Sequence, residues 1–429
     1  MRYQQCLTLA AFGALFCTSC KKDKGSDPPQ ITITAPFDGQ SQTVPSTLTI
    51  VATISDDKGP IDGSAVLVNS NGVPVGPTLF FGDDGTSRSV NLAYPVTSEL
   101  ILSGVHTLRL SATDGENTTN AFRSINVTGL PLRFRGLLAV GADGTVNKLD
   151  SVLNVSTLGS FGQDLSDAAI SSRQQLVYLA GAQTGPLSGV DVNTGNVRWQ
   201  VANNNTMGSP YFTFCSVNDD LDRLLIGRNN GSFSTLNSAL GSNLTTFSCQ
   251  PSHQAVSGLL VDSYAICEER HNNLPSAQLS VHTLWADDLQ AIALLDKSLV
   301  GMFQRDDDHL LLFGNRNGEG VVEDRNILQG GGFEPRTFSQ GEIIDAAQVD
   351  DNTYLIALPD GIVRYTYNPD QVFLVSNLVP EHLAYDGVTG TLFAAAGNTI
   401  HVLDASTGFE AATISLPSSP IKILVLLNR

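Results

Sequence analysis

The chain has 429 residues, of which 39 are glycine, 19 are proline and only 15% are charged. This length allows two or three domains, and a hydrophobic content of 41% excludes a disordered chain. Because 42 acidic residues outnumber 24 basic ones, the net charge of −18 argues against binding to nucleic acid and against adhesion to anionic lipid through a basic face.

The N-terminus has the pattern of an export signal. Arg2 begins it, residues 7–16 form an apolar run too short to span a bilayer, and Cys20 follows two small residues. This pattern resembles a bacterial lipoprotein signal peptide, which implies a signal at 1–19 and a lipid on Cys20. Cys17 stands where that motif usually has leucine. An ordinary secretory peptide, cleaved nearby without lipid, is the alternative.

Residues 20–29 form a polar segment that ends in two prolines. The segment resembles the tethers of Bacteroidetes surface lipoproteins. The resemblance implies a protein of the bacterial cell envelope that is anchored to the outer membrane through its N-terminal lipid. A periplasmic and a surface-facing orientation are both compatible with this segment.

Three cysteines remain beyond the predicted lipidation residue Cys20, namely Cys215, Cys249 and Cys267. Because three is an odd number, at least one thiol has no partner within the chain. Their spacings match no zinc site, so we expect all three to be buried apolar residues.

Residues 30–128 alternate between apolar and polar positions, with turn signals roughly every ten residues. About seven short strands in a segment of this length predict an Ig-like β-sandwich. The stretches 104–108 and 112–119 resemble the closing hairpin of bacterial Ig-like domains of the cadherin and PKD type.

Four acidic residues are expected in the loops of this sandwich: Asp56, Asp57, Asp114 and Glu116. Relatives of the fold bind Ca²⁺ with such carboxylates, which are the ligands that this hard cation prefers. Acidic turns without metal are the alternative, because aspartate bonds its own backbone in turns. No cofactor is predicted, and Ca²⁺ is the one candidate that the sequence leaves open.

Residues 132–429 contain a repeat whose anchor is a short apolar strand. The seven anchors start roughly 42 residues apart, which is the length of one four-stranded propeller blade. They lie at 137–141, 176–180, 224–227, 264–267, 310–314, 354–357 and 392–396. The repeat predicts a seven-bladed β-propeller, and the whole chain is therefore predicted to be all-β.

The two ends of this repeat complement each other. Only the short stretch 132–135 precedes the first anchor, and the apolar strand at 420–427 has no blade of its own. We expect this C-terminal strand to join the first blade and close the ring, because closure removes an exposed sheet edge.

Two turns between the outer strands of a blade carry the pentapeptide Asp-x-x-Thr-Gly, at 191–195 and 404–408. The glycine supplies the positive φ of the turn, and the polar side chains bond its backbone. With Trp199 four residues after its glycine, the first turn resembles the blade motif of PQQ-type (quinoprotein-like) propellers. The second resembles the YVTN-type propellers of bacterial surface proteins. Both resemblances imply a structural role for these turns.

Enzymatic signals are weak. Quinoprotein dehydrogenases carry the full motif in most blades, together with a cofactor Ca²⁺ site and two adjacent cysteines, whereas here the full motif occurs once and no cysteines are adjacent. The Gly-x-Ser-x-Gly and His-Glu-x-x-His motifs of hydrolases are also absent from the sequence. We predict no catalytic residue.

Three successive blades are predicted to carry longer loops between their second and third strands, on the face where propellers usually bind ligands. Arginine forks and amides suit sugars, carboxylates or peptide backbone, and they would concentrate positive charge in an acidic protein. The alternative is that asparagine and glycine merely favour hairpin loops. The candidate ligand-binding residues are Arg228, Asn229, Asn230, Arg270, His271, Asn272, Asn315, Arg316 and Asn317.

Together these features favour a non-catalytic binding or scaffold lipoprotein that presents a propeller face to a protein or glycan partner. We expect it to be a monomer. The alternatives are a propeller enzyme that acts on polysaccharide as a lyase or hydrolase, and an outer-membrane assembly factor. Carboxylates that converge on the loop face would favour the enzyme.

Overall fold

The computed structural model describes residues 27–70, 72–162 and 164–429, in which every regular element is a β-strand and no helix occurs. No helix of this described part is long and apolar enough to cross a membrane. The predicted signal segment and the predicted lipidation residue Cys20 lie outside the described residues. The chain divides into two compact units, Met1–Pro131 and Leu132–Arg429.

In its described residues, the N-terminal unit contains eight strands in two sheets, with the orders β1-β3-β6 and β2-β8-β7-β4-β5. Their bounds are Gln30–Ala35 (β1), Gln40–Thr43 (β2), Ser46–Ser55 (β3), Ile61–Val68 (β4), Leu79–Asp83 (β5), Ser87–Val96 (β6), Gly104–Thr113 (β7) and Thr118–Thr128 (β8).

One apolar core joins the two sheets of this unit. Alternate residues of β3, such as Leu48 and Ile50, are buried against alternate residues of β7, such as Leu108 and Leu110. The period-two pattern therefore predicted the buried face of these strands correctly. A hydrogen bond adds to this contact, because the Leu67 N–H on β4 donates to the Tyr94 hydroxyl on β6 at 3.1 Å.

Over residues 132–162 and 164–429, the C-terminal unit contains 28 strands in seven four-stranded antiparallel sheets. Sheet 1 comprises β36 (Pro420–Leu427), β9 (Phe134–Gly141), β10 (Thr145–Asp150) and β11 (Val155–Ser160). Sheet 2 comprises β12 (Leu165–Ser171), β13 (Leu176–Gly181), β14 (Leu187–Asp191) and β15 (Val197–Val201). Sheet 3 comprises β16 (Phe212–Asn218), β17 (Arg223–Arg228), β18 (Ser232–Asn237) and β19 (Asn243–Ser248).

The remaining four sheets follow in chain order. Sheet 4 comprises β20 (His253–Val261), β21 (Tyr264–His271), β22 (Ala277–Thr283) and β23 (Leu289–Leu295). Sheet 5 comprises β24 (Ser298–Gln304), β25 (His309–Arg316), β26 (Glu319–Asn326) and β27 (Gly332–Phe338). Sheet 6 comprises β28 (Asp345–Asp350), β29 (Thr353–Leu358), β30 (Gly361–Thr366) and β31 (Gln371–Ser376). Sheet 7 comprises β32 (His382–Asp386), β33 (Thr391–Ala396), β34 (Thr399–Asp404) and β35 (Glu410–Ser415).

Each predicted anchor lies in the second strand of its sheet, and β13 shows why anchors are apolar throughout. All six of its residues are buried. Val177 and Leu179 pack against sheet 1, whereas Leu176 and Tyr178 pack against sheet 3. A strand that is covered on both faces needs a continuous apolar run rather than an alternating one.

The C-terminal strand joins the beginning of the unit, as predicted. β36 pairs antiparallel with β9, with Val425 opposite Leu137. β36 also contacts β32, the first strand of sheet 7, and β12, the first strand of sheet 2. Because the other first strands contact one another in chain order, the first strands of the seven sheets form a closed cycle. Ile423 and Leu426 are buried, and Lys422 forms an ion pair with Asp167 on β12 at 3.1 Å.

The Asp-x-x-Thr-Gly turns have the structural role that the sequence implies. The Asp404 carboxylate accepts the hydroxyl groups of Ser406 and Thr407 and also their backbone N–H groups, and these bonds lower the pKa of Asp404 to about 2. Gly408 has a φ of 72°, and a side chain there would collide with the Val375 carbonyl of sheet 6. The turn therefore packs closely on the neighbouring sheet.

All three cysteines of the C-terminal unit are free thiols. Cys215 and Cys267 are buried, as expected of small apolar residues, whereas Cys249 is only half-buried. Burial raises the pKa of the Cys249 thiol to about 12, which makes this side chain a poor nucleophile.

Candidate binding cleft

A cavity of about 370 Å³ lies between sheets 4 and 5. It opens at the ends of β21 and β25, where the loops to the next strands begin. These two strands occupy the same position in sheets 4 and 5, so their loops lie side by side. Polar and charged side chains share its lining with the apolar Leu274, Pro275, Ala277 and Leu295. We call this space the loop cavity.

The loop cavity brings together five of the nine predicted ligand-binding residues, and four lie elsewhere. The five are Arg270, His271, Asn315, Arg316 and Asn317. The four that do not line it are Arg228, Asn229, Asn230 and Asn272.

The predicted residues of sheet 3 make local contacts. The Arg228 guanidinium donates to the Ser234 hydroxyl at 2.7 Å, and burial lowers its pKa. Asn229 is buried, and its amide donates to the backbone carbonyl of Ser209 at 3.1 Å, which ties down the segment before β16. Asn230 accepts a bond from the Ser232 hydroxyl. These bonds give Arg228 and Asn229 a stabilising role in sheet 3.

The arginines of the loop cavity are already paired within the chain. Arg316 bonds both oxygens of Glu334, at 2.8 and 2.7 Å, and also the carboxylate of Asp296. Arg270 pairs with the fully buried Glu268 at 2.9 Å. The local excess of positive charge expected from the sequence is therefore absent, because each guanidinium has its own carboxylate.

Lys297 is the central cation of this region, and sequence reasoning missed it. Its ammonium lies 2.7 Å from Glu323, 2.8 Å from Glu334 and 3.0 Å from Asp296, so each of its three protons has a carboxylate partner. Arg325 pairs with the other oxygen of Glu323. We call these residues, with Arg316, the Lys297 network.

One signal in the sequence could have revealed the network. Glu323 and Arg325 are two residues apart on β26, so their side chains lie on the same face of this strand. Two opposite charges on one buried face of a strand indicate that further charged partners must lie opposite.

The network keeps Asp296, Glu334 and Lys297 charged. Although burial opposes the effect, hydrogen bonds from Arg316 and Lys297 lower the pKa of Asp296. The hydrogen bonds from Arg316 are the largest cause of the lowered pKa of Glu334. Burial disfavours the Lys297 ammonium, but its bonds to Glu323 and Glu334 outweigh burial and raise its pKa. These groups are therefore ionised at neutral pH.

His271 offers a hydrogen-bond donor at the rim of the loop cavity. Its Nδ1 accepts the backbone N–H groups of Asn273 and Leu274, at 3.0 and 3.1 Å. Since a backbone N–H can only donate, the proton of the neutral ring lies on Nε2. The ring also packs edge-on against His253.

Asn315 instead joins two sheets. Its amide donates to the Ile343 carbonyl at 2.9 Å, and its oxygen accepts the Ile343 N–H at 2.7 Å. Both polar groups of this side chain are engaged, so Asn315 shapes the wall of the loop cavity and holds the chain that enters sheet 6.

The acidic loop residues of the N-terminal unit lie near one another. Asp114 accepts the N–H groups of Glu116 and Asn117, as expected of an acidic turn. Burial raises the pKa of Asp56, and Asp114 and Asp57 act in the same direction. Within the described residues, no group of three or more His, Cys, Asp or Glu side chains is placed to hold a metal ion. Calcium binding stays a prediction.

No family model and no curated protein matches this chain. Solved structures that resemble it include a computationally designed protein named Ika8, which is 14% identical, with a TM-score of 0.50 over 68% of this chain and 88% of that one. A quinonprotein alcohol dehydrogenase-like protein from Bacteroides thetaiotaomicron is 13% identical, with a TM-score of 0.49 over 93% and 99%. The WD40 β-propeller domain of Doa1 is 11% identical, with a TM-score of 0.46 over 61% and 86%.

Likeness at such low identity concerns the fold alone. The described residues are all-β, and the C-terminal unit has the cyclic order of four-stranded sheets that a β-propeller requires. The C-terminal unit is therefore a β-propeller.

Proposed function

We propose that this protein is an envelope-anchored, non-catalytic binding lipoprotein whose ligand, a glycan or a protein, enters the cleft between sheets 4 and 5. The loop cavity carries this proposal, because its volume of about 370 Å³ is within the range of small-ligand sites and it gathers five predicted residues. The protein acts as a monomer and without a cofactor.

The architecture that we propose has three parts. A lipid on Cys20 anchors the chain, the N-terminal unit is an Ig-like sandwich, and the C-terminal unit is a seven-bladed propeller closed by β36. The two sheets of the N-terminal unit around a single core support the second part. Seven four-stranded sheets in cyclic contact support the third.

The charges in the cleft favour binding over glycoside hydrolysis. A glycosidase needs one protonated carboxylic acid near neutral pH, and therefore a carboxyl group whose pKa is raised. The pKa values of Asp296 and Glu334 are lowered instead, by their bonds to Arg316 and Lys297. Neither carboxylate is suited to protonate a leaving group.

Lipid anchoring predicts a clear effect of one substitution. Changing Cys20→Ala is expected to abolish incorporation of labelled palmitate and to release the protein from the membrane fraction, since the thiol is the acceptor of the lipid. Cys17→Ala is the matched control and is expected to leave labelling intact. Equal labelling of the Cys20→Ala variant would contradict lipid anchoring and support the ordinary secretory peptide.

Blocking the loop cavity is expected to remove ligand binding. Leu274 lines this cavity with 59% of its surface exposed, so Leu274→Arg places a long charged side chain in the opening without disturbing a core. We expect binding to an immobilised panel of bacterial and plant polysaccharides and envelope proteins to weaken by about tenfold or more, which corresponds to about 1.4 kcal/mol.

The control for this variant is Leu240→Arg. Leu240 lies in a turn of sheet 3 and has 70% of its surface exposed. The control adds the same side chain away from the cleft and is expected to bind as the unchanged protein does. Undiminished binding by Leu274→Arg, or an equal loss in both variants, would show that the ligand binds elsewhere.

A further inference from the structure

A second cavity continues the cleft on the other side of the Lys297 network. It has a volume of about 540 Å³ and extends along the outer strands β23, β26 and β27. Its lining shares Leu295, Asp296 and Lys297 with the loop cavity. The two spaces are thus consecutive parts of one cleft, and we call the second one the outer cavity.

The wall of the outer cavity is built from buried charged side chains. Lys297, Glu323 and Arg325 are 5%, 3% and 8% exposed, and all three border the cavity. Charged groups are rarely buried so deeply unless they are fully paired, and here each has its partner. The wall is therefore rigid and preorganised for contact with a ligand.

Glycine at position 332 keeps this wall accessible. A Cβ atom at Gly332 would lie 1.9 Å from Oε1 of Glu323, so any other residue would displace this carboxylate. The neighbouring Gly331 has nothing within 4 Å of the same position. Close approach to Glu323 thus requires glycine at position 332 but not at position 331.

The charged side chains of the cleft lining and the buried partner of Arg270 together carry no net charge. Arg270, Arg316, Lys297 and Arg325 line the cleft and are balanced by Asp296, Glu323 and Glu334 of the lining and by Glu268, which lies buried behind Arg270. A charged ligand would face an equal number of opposite and like charges and would gain little. Hydroxyl groups, in contrast, donate to carboxylates and accept from guanidinium groups at the same time.

Apolar surface accompanies these charges. Leu294 borders the outer cavity and is 77% exposed, and Leu274 and Pro275 border the loop cavity. A sugar ring presents hydroxyl groups at its edge and C–H groups on its face, and an alternation of ion pairs and leucines matches both.

We infer that the cleft binds a neutral oligosaccharide, with the loop cavity and the outer cavity as consecutive subsites. This inference rests on the proposed binding function and adds the ligand class and the second subsite. Arg316 and Glu334 lie between the two subsites and bond the hydroxyl groups near the linkage.

The test uses calorimetric titration of the full mature protein with neutral hexasaccharides and disaccharides from glucan, mannan and xylan. Hexagalacturonate serves as the acidic counterpart. We expect one neutral hexasaccharide series to bind more tightly than its disaccharide and more tightly than hexagalacturonate. In Gly332→Ala, binding of that hexasaccharide is expected to weaken by about tenfold, with the disaccharide unchanged, whereas Gly331→Ala binds both normally.

Leu294→Ala serves as the second variant in case Gly332→Ala does not fold. Leu294 is exposed, so its truncation removes apolar surface from the outer cavity without opening a core. It is also expected to weaken the hexasaccharide selectively. Tighter binding of hexagalacturonate overturns the neutral ligand class. Equal affinity for disaccharide and hexasaccharide, unaffected by Gly332→Ala and Leu294→Ala, overturns the second subsite and leaves the proposed function intact. If only a protein binds, the oligosaccharide inference is wrong. The effect of Leu274→Arg on binding of that protein then decides whether the cleft is still the binding site.

Discussion

Removal of residues 419–429 is expected to unfold the propeller. These residues contain β36, whose eight residues complete sheet 1 by pairing with β9. Ile423 and Leu426 are buried, and truncation of a single buried leucine or isoleucine typically costs about 2–5 kcal/mol. Loss of the whole strand therefore exceeds the net stability of about 5–15 kcal/mol that ordinary domains possess.

The truncation would also expose a sheet edge. Without β36, the backbone of β9 has no partner on one side, and the apolar Leu137 and Ala139 lie next to the open edge. Such an edge pairs with other chains, so the truncated protein is expected to aggregate. Both tryptophans of the chain, Trp199 and Trp285, belong to the propeller, which makes their fluorescence a specific measure of its folding.

A milder variant and a rescue accompany this experiment. Leu426→Ala keeps the backbone of β36 and is expected to remain folded with a lower midpoint of urea unfolding. Co-expression of a separate segment 419–429 is expected to restore soluble truncated protein, because the missing strand can pair in trans. A soluble, monomeric truncation with unchanged tryptophan fluorescence would show that β36 does not close the ring.

Sequence patterns predicted the fold well because they are local. An anchor strand such as 176–180 is apolar at every position because its two faces contact two different sheets, and this need repeats in every blade. The pairing of β36 with β9 could be inferred because one end lacked a strand and the other had one in excess. Neither inference required a side-chain contact.

The cleft could be predicted only in part. The positions of Arg270, His271, Arg316 and Asn317 follow from the repeat, since equivalent loops lie at the same end of each sheet. Their electrostatic surroundings do not follow, because Arg316 meets a carboxylate of β27 that lies 18 residues further along the chain. The positive charge of these arginines was therefore predicted to be available to a ligand, whereas carboxylates of the chain itself neutralise it.

Substitution of Lys297→Met is expected to destabilise the propeller by about 3–5 kcal/mol, as is typical when one partner of a buried ion pair is removed. The methionine fills the space of the lysine stem but leaves Glu323, Glu334 and Asp296 without their common cation. Glu323 is affected most, because it is almost fully buried and keeps only Arg325 as a cationic partner. Urea unfolding followed by tryptophan fluorescence at pH 7 measures this loss.

The triple variant Lys297→Met/Glu323→Leu/Arg325→Leu separates charge from packing, because it also removes Arg325, whose carboxylate partner is Glu323. If the cost of Lys297→Met arises from unbalanced buried charge, removal of Glu323 together with Arg325 recovers much of the stability, and the substitutions are not additive. Arg336→Met is the matched control, because Arg336 pairs with Asp370 at the surface and its loss is expected to cost less than about 1 kcal/mol. Equal destabilisation by both single variants would contradict the central role of Lys297.

Acid is expected to reduce the difference between the unchanged protein and Lys297→Met. In the folded protein the pKa values of Asp296 and Glu334 lie below their usual values, so their contribution to stability is complete above a pH of about 4 and is lost as the pH falls through the lowered pKa values. In Lys297→Met these carboxylates have one cationic partner fewer, so their pKa values in the folded state lie closer to the unfolded values. Protonation in acid therefore costs this variant less stability. The gap between the two unfolding midpoints should therefore narrow between pH 7 and about 3. A gap that stays constant over this range would mean that Lys297 stabilises the propeller by packing rather than by charge.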